Sequence, residues 1–259
     1  MPFPAAKQLA LRFLPGPVLQ FVRKHHYARK LAAAEPEPDM ALLQYLVPRG
    51  GCALDVGANF GLYSRFLAAA VAPTGRVHAI EPVPTTFDVL RSNVLRLGLA
   101  QVLVHNLAAS DSTGRVTMAV PRYSTGGENY YEARIVGASA PAGLRAVPVK
   151  AWKLDDLFAR HDRVDFVKCD VEGHELPVVR GAAALIRTHR PAWLIELSGN
   201  PDDPASAAAE LGVTLRCAGY ETYRFDGQRL RRRVHGDRCL NTFFLRREHV
   251  ESIPISLRG

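Results

Sequence analysis

The stretch Ala53-Leu-Asp-Val-Gly-Ala-Asn-Phe-Gly-Leu-Tyr-Ser64 constrains this chain more than any other. A short apolar run ends in Asp55 and is followed by a turn holding Gly57 and Gly61, which predicts a buried strand feeding a helix. In such a turn the missing side chains let a ligand approach the backbone, and the helix N-terminus offers free N–H groups. About twenty residues after Gly61 a second apolar run, Arg76-Val-His-Ala-Ile-Glu81, ends in a carboxylate. A parallel strand beside the first would place that acid within reach of ribose hydroxyls.

The chemistry of the loop narrows the ligand. Where a sheet of this kind binds a nicotinamide dinucleotide, three glycines face a pyrophosphate. Here Asp55 precedes the turn, and Asn59 stands where a glycine could. A carboxylate repels phosphate and suits an ammonium. S-adenosylmethionine meets that condition, because it joins a ribose diol to an amino-acid end and carries no phosphate.

At 259 residues the chain can bury one full α/β core, and two complete domains would be a tight fit. The expected division is a basic helical extension and linker over 1–39, then one domain over 40–259. With 47% hydrophobic and 22% charged residues and no apolar run near twenty, a soluble globular protein without a spanning helix is expected, in the cytoplasm. Cys52, Cys169, Cys217 and Cys239 lie far apart with no C-x-x-C spacing, so neither a zinc site nor a disulfide framework is indicated.

Residues 1–34 contain Lys7, Arg12, Arg23, Lys24, Arg29 and Lys30, and the first acid is Glu35. Apolar residues among these cations, interrupted by Pro15-Gly-Pro17, predict two short helices that pack on the domain or on a second subunit, or else bind an anionic membrane surface or a phosphorylated substrate. Glu35-Pro-Glu-Pro38 reads as a stiff linker. Beyond the first loop, helix 62–71, the strand ending at Glu81, a helix over 87–97 capped by Thr85 or Thr86, and strand 102–107 give β-α-β-α-β. Strands 115–120 and 145–150 follow, and the segment 122–143 between them, with Glu128, Asn129 and Tyr130, reads as a lid or binding loop over a polar ligand, or else as a disordered segment or a plain surface hairpin. Val164-Asp-Phe-Val-Lys-Cys-Asp-Val-Glu-Gly173 is a buried strand entering a turn, 192–197 is a fifth core strand ending near Glu196, and a hairpin and strand 242–246 close the chain.

These residues resemble the FkbM family of S-adenosylmethionine-dependent methyltransferases. The match rests on Asp55-Val-Gly-Ala-Asn-Phe-Gly-Leu-Tyr-Ser64, on Glu81-Pro-Val-Pro84, on Leu154-Asp-Asp-Leu157, and on Lys168-Cys-Asp-Val-Glu-Gly-His-Glu175 with Gly181 and Pro191 downstream. The resemblance implies a Rossmann-like α/β fold of seven strands in the order 3-2-1-4-5-7-6, the last antiparallel. It implies methyl transfer from the cosubstrate S-adenosyl-L-methionine, commonly to a hydroxyl of a sugar or natural product. Asp55, Gly57, Ala58, Asn59 and Gly61 carry over to the cofactor loop, and Glu81 with Pro82 to the ribose.

For the reaction, Asp170, Glu172, His174 and Glu196 at the strand carboxyl ends are the candidate catalytic residues. Asp170 or His174 is expected as the base, and Glu172 or Glu196 as acceptor-positioning groups. The acids could alternatively hold magnesium, or Asp170 and Glu172 could simply cap the next helix. A nicotinamide-dependent oxidoreductase is disfavoured by the loop, and the chain has no evident Tyr-x-x-x-Lys pair. A nucleic-acid methyltransferase lacks an Asn-Pro-Pro-Tyr-like motif, so a small-molecule partner and no nucleic acid are expected.

Overall fold

The structure, a computed structural model, describes residues 15–122, 128–136, 141, 143–158 and 163–259. Its strands in chain order are β1 (Cys52–Val56), β2 (Arg76–Ile80), β3 (Val102–His105), β4 (Ala108–Ala109), β5 (Gly114–Val120), β6 (Arg134–Val136), β7 (Arg145–Trp152), β8 (Phe166–Cys169), β9 (Ala192–Glu196), β10 (Glu221–Phe225), β11 (Leu230–Arg232) and β12 (Asn241–Leu245). The helices are α1 (Gly16–Ala32), α2 (Leu43–Leu46), α3 (Leu62–Val71), α4 (Pro84–Arg96), α5 (Leu154–Phe158), α6 (Glu175–Arg180), α7 (Ala183–Thr188), α8 (Ala207–Cys217) and α9 (Arg247–Ser252).

The main sheet runs β11-β10-β12-β9-β8-β1-β2-β3. Strands β3, β2, β1, β8 and β9 are mutually parallel, and β12 is antiparallel to both β9 and β10. It holds eight strands where seven were expected. The eighth, β11, exists because the Asp226 carboxylate accepts the N–H groups of Gln228 (2.9 Å) and Arg229 (2.7 Å). That turn returns the chain along β10, and the exposed edge is lined by arginines with acidic partners, such as Arg232 with Glu221 and Arg231 with Asp226. Arg231 and Arg232 therefore cover that edge.

Both faces of the central strands are buried. Ala53, Val77, Ala79, Phe166 and Leu194 face one core with Leu67 and Val71 of α3, while Leu54, Val56, Ile80, Val167, Trp193 and Ile195 face the other with Val178, Val179 and Leu211. This explains the near-continuous apolar runs in the sequence, since a parallel strand covered on both sides has no solvent face. Register sets the site. Val56 lies opposite Ile80 on one side and Cys169 on the other. The residues that follow, Gly57, Glu81 and Asp170, therefore leave the sheet at one level.

The strands expected at 115–120 and 145–150 are β5 and β7, and with β4 and β6 they form a second sheet in the order β4-β7-β5-β6. Strands β5 and β7 pair antiparallel from Gly114 to Val120, and β6 adds to β5 within the anticipated lid. Val83, Ala108, Met118, Val120, Ala133 and Val149 form its own small core. Within 122–143, residues 123–127, 137–140 and 142, Gly126 and Gly127 among them, lie outside the described residues.

Two further expectations shift. From Gly16 onward the extension is one helix of 17 residues, because Pro17 sits in its first turn, where a missing N–H costs nothing. The helix expected at 1–14 lies outside the described residues. Helix α4 begins at Pro84 rather than Phe87, and its N-cap is Val83, not Thr85 or Thr86. Cys169 is buried and Cys52 half-buried. Among the described residues no helix is long and apolar enough to cross a membrane.

Gly181 at the end of α6 ties the two sheets together. Its φ of −73° is ordinary, but an added Cβ would fall 2.0 Å from the carbonyl oxygen of Ser110. Gly181→Ala is expected to lose about 1–3 kcal/mol of stability through overpacking alone. Chemical denaturation checks this, and an unchanged midpoint would contradict it.

Candidate active site

A cavity with ≈ 600 Å³ of empty space, part of it open to solvent, lies at the carboxyl ends of β1, β2 and β8. Its floor comes from Val56, Gly57, Asn59, Ile80 and Glu81, and its far wall from Met118, Tyr130, Ala133 and Ile135 of the second sheet and the segment before β6. Asp170, Val171 and Glu172 close the third side.

Glu81 is the best-defined polar group in the cavity. It is 6% exposed, and its two carboxylate oxygens accept separate backbone N–H groups, Oε2 from Asn59 (3.1 Å) and Oε1 from Val83 (2.9 Å). One acid thus fixes the first loop and starts α4, which is why no threonine cap is needed. Asn106 holds the same corner by donating to the Glu81 carbonyl at 2.9 Å. Burial pushes the Glu81 carboxyl up to about 7, against the two backbone N–H groups that favour its charged form.

The loop glycines serve the backbone more than a ligand. A Cβ on Gly57 would fall 1.7 Å from the Asp170 carbonyl oxygen, and one on Gly61 would meet Leu90 at 2.9 Å. Both have positive φ, 84° and 98°. Gly57 and Asn59 line the cavity, whereas Ala58 and Gly61 are buried beneath it. Pro82 lines it beside Glu81. Asp55 does not line it. Its carboxylate, 2% exposed, points inward and accepts the Ser64 hydroxyl, and burial raises it to about 6. The acid expected to face an ammonium therefore lies under the loop, because β1 alternates and Asp55 falls on the helix side.

At the acceptor side the structure brings Asp170, Glu172 and Glu196 together and leaves His174 aside. Glu172 stands at the rim with a left-handed φ of 52°; partial desolvation of its carboxyl by the cavity wall, and then the Asp170, Glu196 and Glu175 carboxylates, raise it to about 7. Glu196 is raised by burial and by Asp170. The His174 Nε2 lies 2.9 Å from the Ser110 hydroxyl, outside the cavity lining, and burial lowers its pKa. Neither Asp170 nor Glu172 caps α6. That helix has no side-chain cap, and the nearby Gly173 N–H is taken by Glu175 at 2.9 Å. Among the described residues no group of three or more His, Cys, Asp and Glu is arranged to hold a metal ion. In the lid segment Glu128 pairs with Arg145 (2.7 Å) and accepts the Tyr130 hydroxyl, and Asn129 is buried with its N–H on the Pro121 carbonyl. Of these three residues, Tyr130 reaches the cavity.

Lys168, just beneath the cavity, had no role in the sequence reading. Its side chain is 2% exposed on β8, with Nζ 3.8 Å from Asp170 Oδ2, 3.0 Å from Asn241 Oδ1 and 5.0 Å from the Tyr63 ring centroid. Asn241 is held in turn by Asp39 at 2.9 Å. A single lysine inside an otherwise apolar strand was the available signal, since burying an ammonium requires partners. Asp155 of the Leu154-Asp-Asp-Leu157 motif is structural: its two oxygens accept the Ala184 and Leu185 N–H groups, each at 2.8 Å, at the start of α7.

The family model described as Methyltransferase FkbM domain matches residues 55–222. The chain belongs to the FkbM methyltransferase family. It is 29% identical over 160 residues to the methyltransferase sdnD of Sordaria araneosa, covering 52% of this chain and 61% of that protein. It is 22% identical over 177 residues to methyltransferase 1 of Beauveria bassiana (strain ARSEF 2860), covering 63% and 67%. The solved structure of the methyltransferase FkbM from Methylobacillus flagellatus KT is similar at a TM-score of 0.49 and 18% identity, over 93% of this chain and 58% of that one. The chain thus spans about three-fifths of the first of these relatives. The FkbM match begins at Asp55 and includes every candidate site residue, while α1 and the linker lie outside it.

A carboxyl whose folded pKa exceeds its unfolded value stabilises the fold fully below the unfolded value and loses that contribution as pH rises through the folded one. For Glu81 the window runs from 4.5 to about 7. Glu81→Gln is expected to gain about 3 kcal/mol on the parent chain as pH rises across it. Unfolding free energies of both proteins at the two ends check this, and a constant difference would contradict it.

Proposed function

We propose that this FkbM-family chain transfers a methyl group from S-adenosylmethionine to a hydroxyl of a sugar or natural-product small molecule. The observation that carries the reading is the composition of the cavity. Its charged lining residues are Glu81, Asp170 and Glu172, and none of its described lining residues is basic. A pyrophosphate would meet three carboxylates and no cation, whereas a ribose diol donates hydrogen bonds and a sulfonium carries positive charge. Each oxygen of Glu81 accepts one N–H and keeps a lone pair for a hydroxyl. Val56, Ile80, Val83, Met118 and Ile135 offer apolar surface suited to a flat adenine.

The cosubstrate supplies a methyl group already activated on sulfur, so the protein contributes alignment and handling of one proton. As the acceptor oxygen attacks the methyl carbon, the carbon–sulfur bond breaks and the hydroxyl proton must leave. Glu172 suits that transfer, because a carboxylate raised to about 7 is a stronger base than an ordinary one and still ionises near neutral pH. Asp170, beside buried Lys168, is the group that orients the acceptor. The base assignment thus passes from Asp170 or His174 to Glu172, since His174 is turned to Ser110.

Calorimetry with S-adenosylhomocysteine tests the binding half. Glu81→Gln should weaken binding by about 1.5–3 kcal/mol, the value of a hydrogen bond to a charged group. Glu172→Gln should bind like the parent. Absence of binding by the parent chain would sink the reading. With an acceptor found by mass-spectrometric screening of hydroxyl compounds, Glu172→Gln should turn over about 10²–10⁴-fold more slowly. Undiminished turnover would remove Glu172 as the base.

A further inference from the structure

Helix α1 has an inner face that is accounted for and an outer face that is not. On the inner side Gln20 donates to the Thr85 carbonyl at 3.0 Å, Lys24 lies 4.0 Å from Asp88, and Tyr27 stacks on Phe60 with centroids 5.4 Å apart. Lys30 lies there too, with Nζ 4.9 Å from the Phe60 ring centroid, whereas on the outer side Val18, Phe21 and Val22 are 44%, 64% and 39% exposed, and the stripe continues through exposed His25 and Arg29. The spacing i, i+3, i+4 places these residues on one side of the helix. Its first half is apolar and its second half basic, and no acid occurs in residues 1–34.

We propose that this outer face of α1 docks on an anionic lipid bilayer. Apolar side chains beside cations suit a surface that is hydrocarbon below and phosphate above, with Phe21 entering the acyl boundary and Arg29 staying at the headgroups. A nucleic acid would use the cations and leave Val18, Phe21 and Val22 in water. A second copy of the face would bring Arg29 toward its like on a helix that carries no acid to pair with it. Another side of α1 adjoins the site. Arg23 of α1 lies over the ring of Tyr130 at 4.9 Å, and Tyr130 lines the cavity. Docking through α1 would therefore hold the cavity wall near the membrane, where an acceptor with an apolar tail is presented. The docking itself does not depend on the methyl-transfer reading.

Flotation of the full chain with vesicles of phosphatidylcholine, with and without phosphatidylglycerol, tests the proposal. Binding is expected to the anionic vesicles and to fall with added salt, because exposed charges are screened. The double variant Phe21→Ser with Val22→Ser and the single variant Arg29→Glu should each bind about tenfold less, with melting temperature and S-adenosylhomocysteine affinity unchanged. Absence of parent binding, or equal binding by the variants, would overturn the proposal. So would sedimentation showing a dimer that the apolar variant dissolves, or retention on an oligonucleotide that Arg29→Glu loses and the apolar variant keeps.

Discussion

The site depends on one buried carboxylate accepting two backbone N–H groups. Glu81 takes the N–H of Asn59 from the loop after β1 and the N–H of Val83 from the start of α4. Without it both groups would be left unpaired in a buried corner, each at a cost of about 1–3 kcal/mol. The register between β1 and β2, Val56 opposite Ile80, brings that acid to the loop. A side chain that completes the backbone hydrogen bonding of two turns also holds the floor of the cavity rigid, so the arrangement is in place before any ligand arrives.

Charge is distributed with a purpose around that floor. Acids gather at the carboxyl ends of β1, β2, β8 and β9, and among the described residues Lys168 is the cation whose field reaches Asp39, Asp55 and Glu196. It sits beneath the cavity rather than in it, held by Asn241 and the Tyr63 ring. The cavity therefore presents net negative charge to a ligand while the cation balances the acids from below. Desolvation, with repulsion among Asp170, Glu172 and Glu196 added to it, accounts for the raised carboxyls at the rim.

Much of this was legible in the sequence where one residue type has one physical use. Gly57 and Gly61 marked the turn after β1 and short apolar runs marked buried strands, whereas Glu81 was expected at a ribose and its hold on the Asn59 and Val83 N–H groups was not foreseen. Asp55 was misplaced because its level in the strand is visible from sequence but the side of the sheet it faces is not. The second sheet was only half legible: β5 and β7 alternate recognisably, whereas β6 is three residues long and forms by pairing with β5. The wall residues Met118, Ala133 and Ile135 followed from that missed pairing. His174 lost its place to a contact with Ser110, which lies 64 positions away in the chain.

The most direct test is a carbon-13 NMR titration of the Glu81 carboxyl, with and without S-adenosylhomocysteine. The free protein should show a midpoint near 7. Ribose hydroxyls donating to the carboxylate favour its charged form, so the bound midpoint should fall. A midpoint that does not move at saturating ligand would show that the ribose lies elsewhere and would contradict the account.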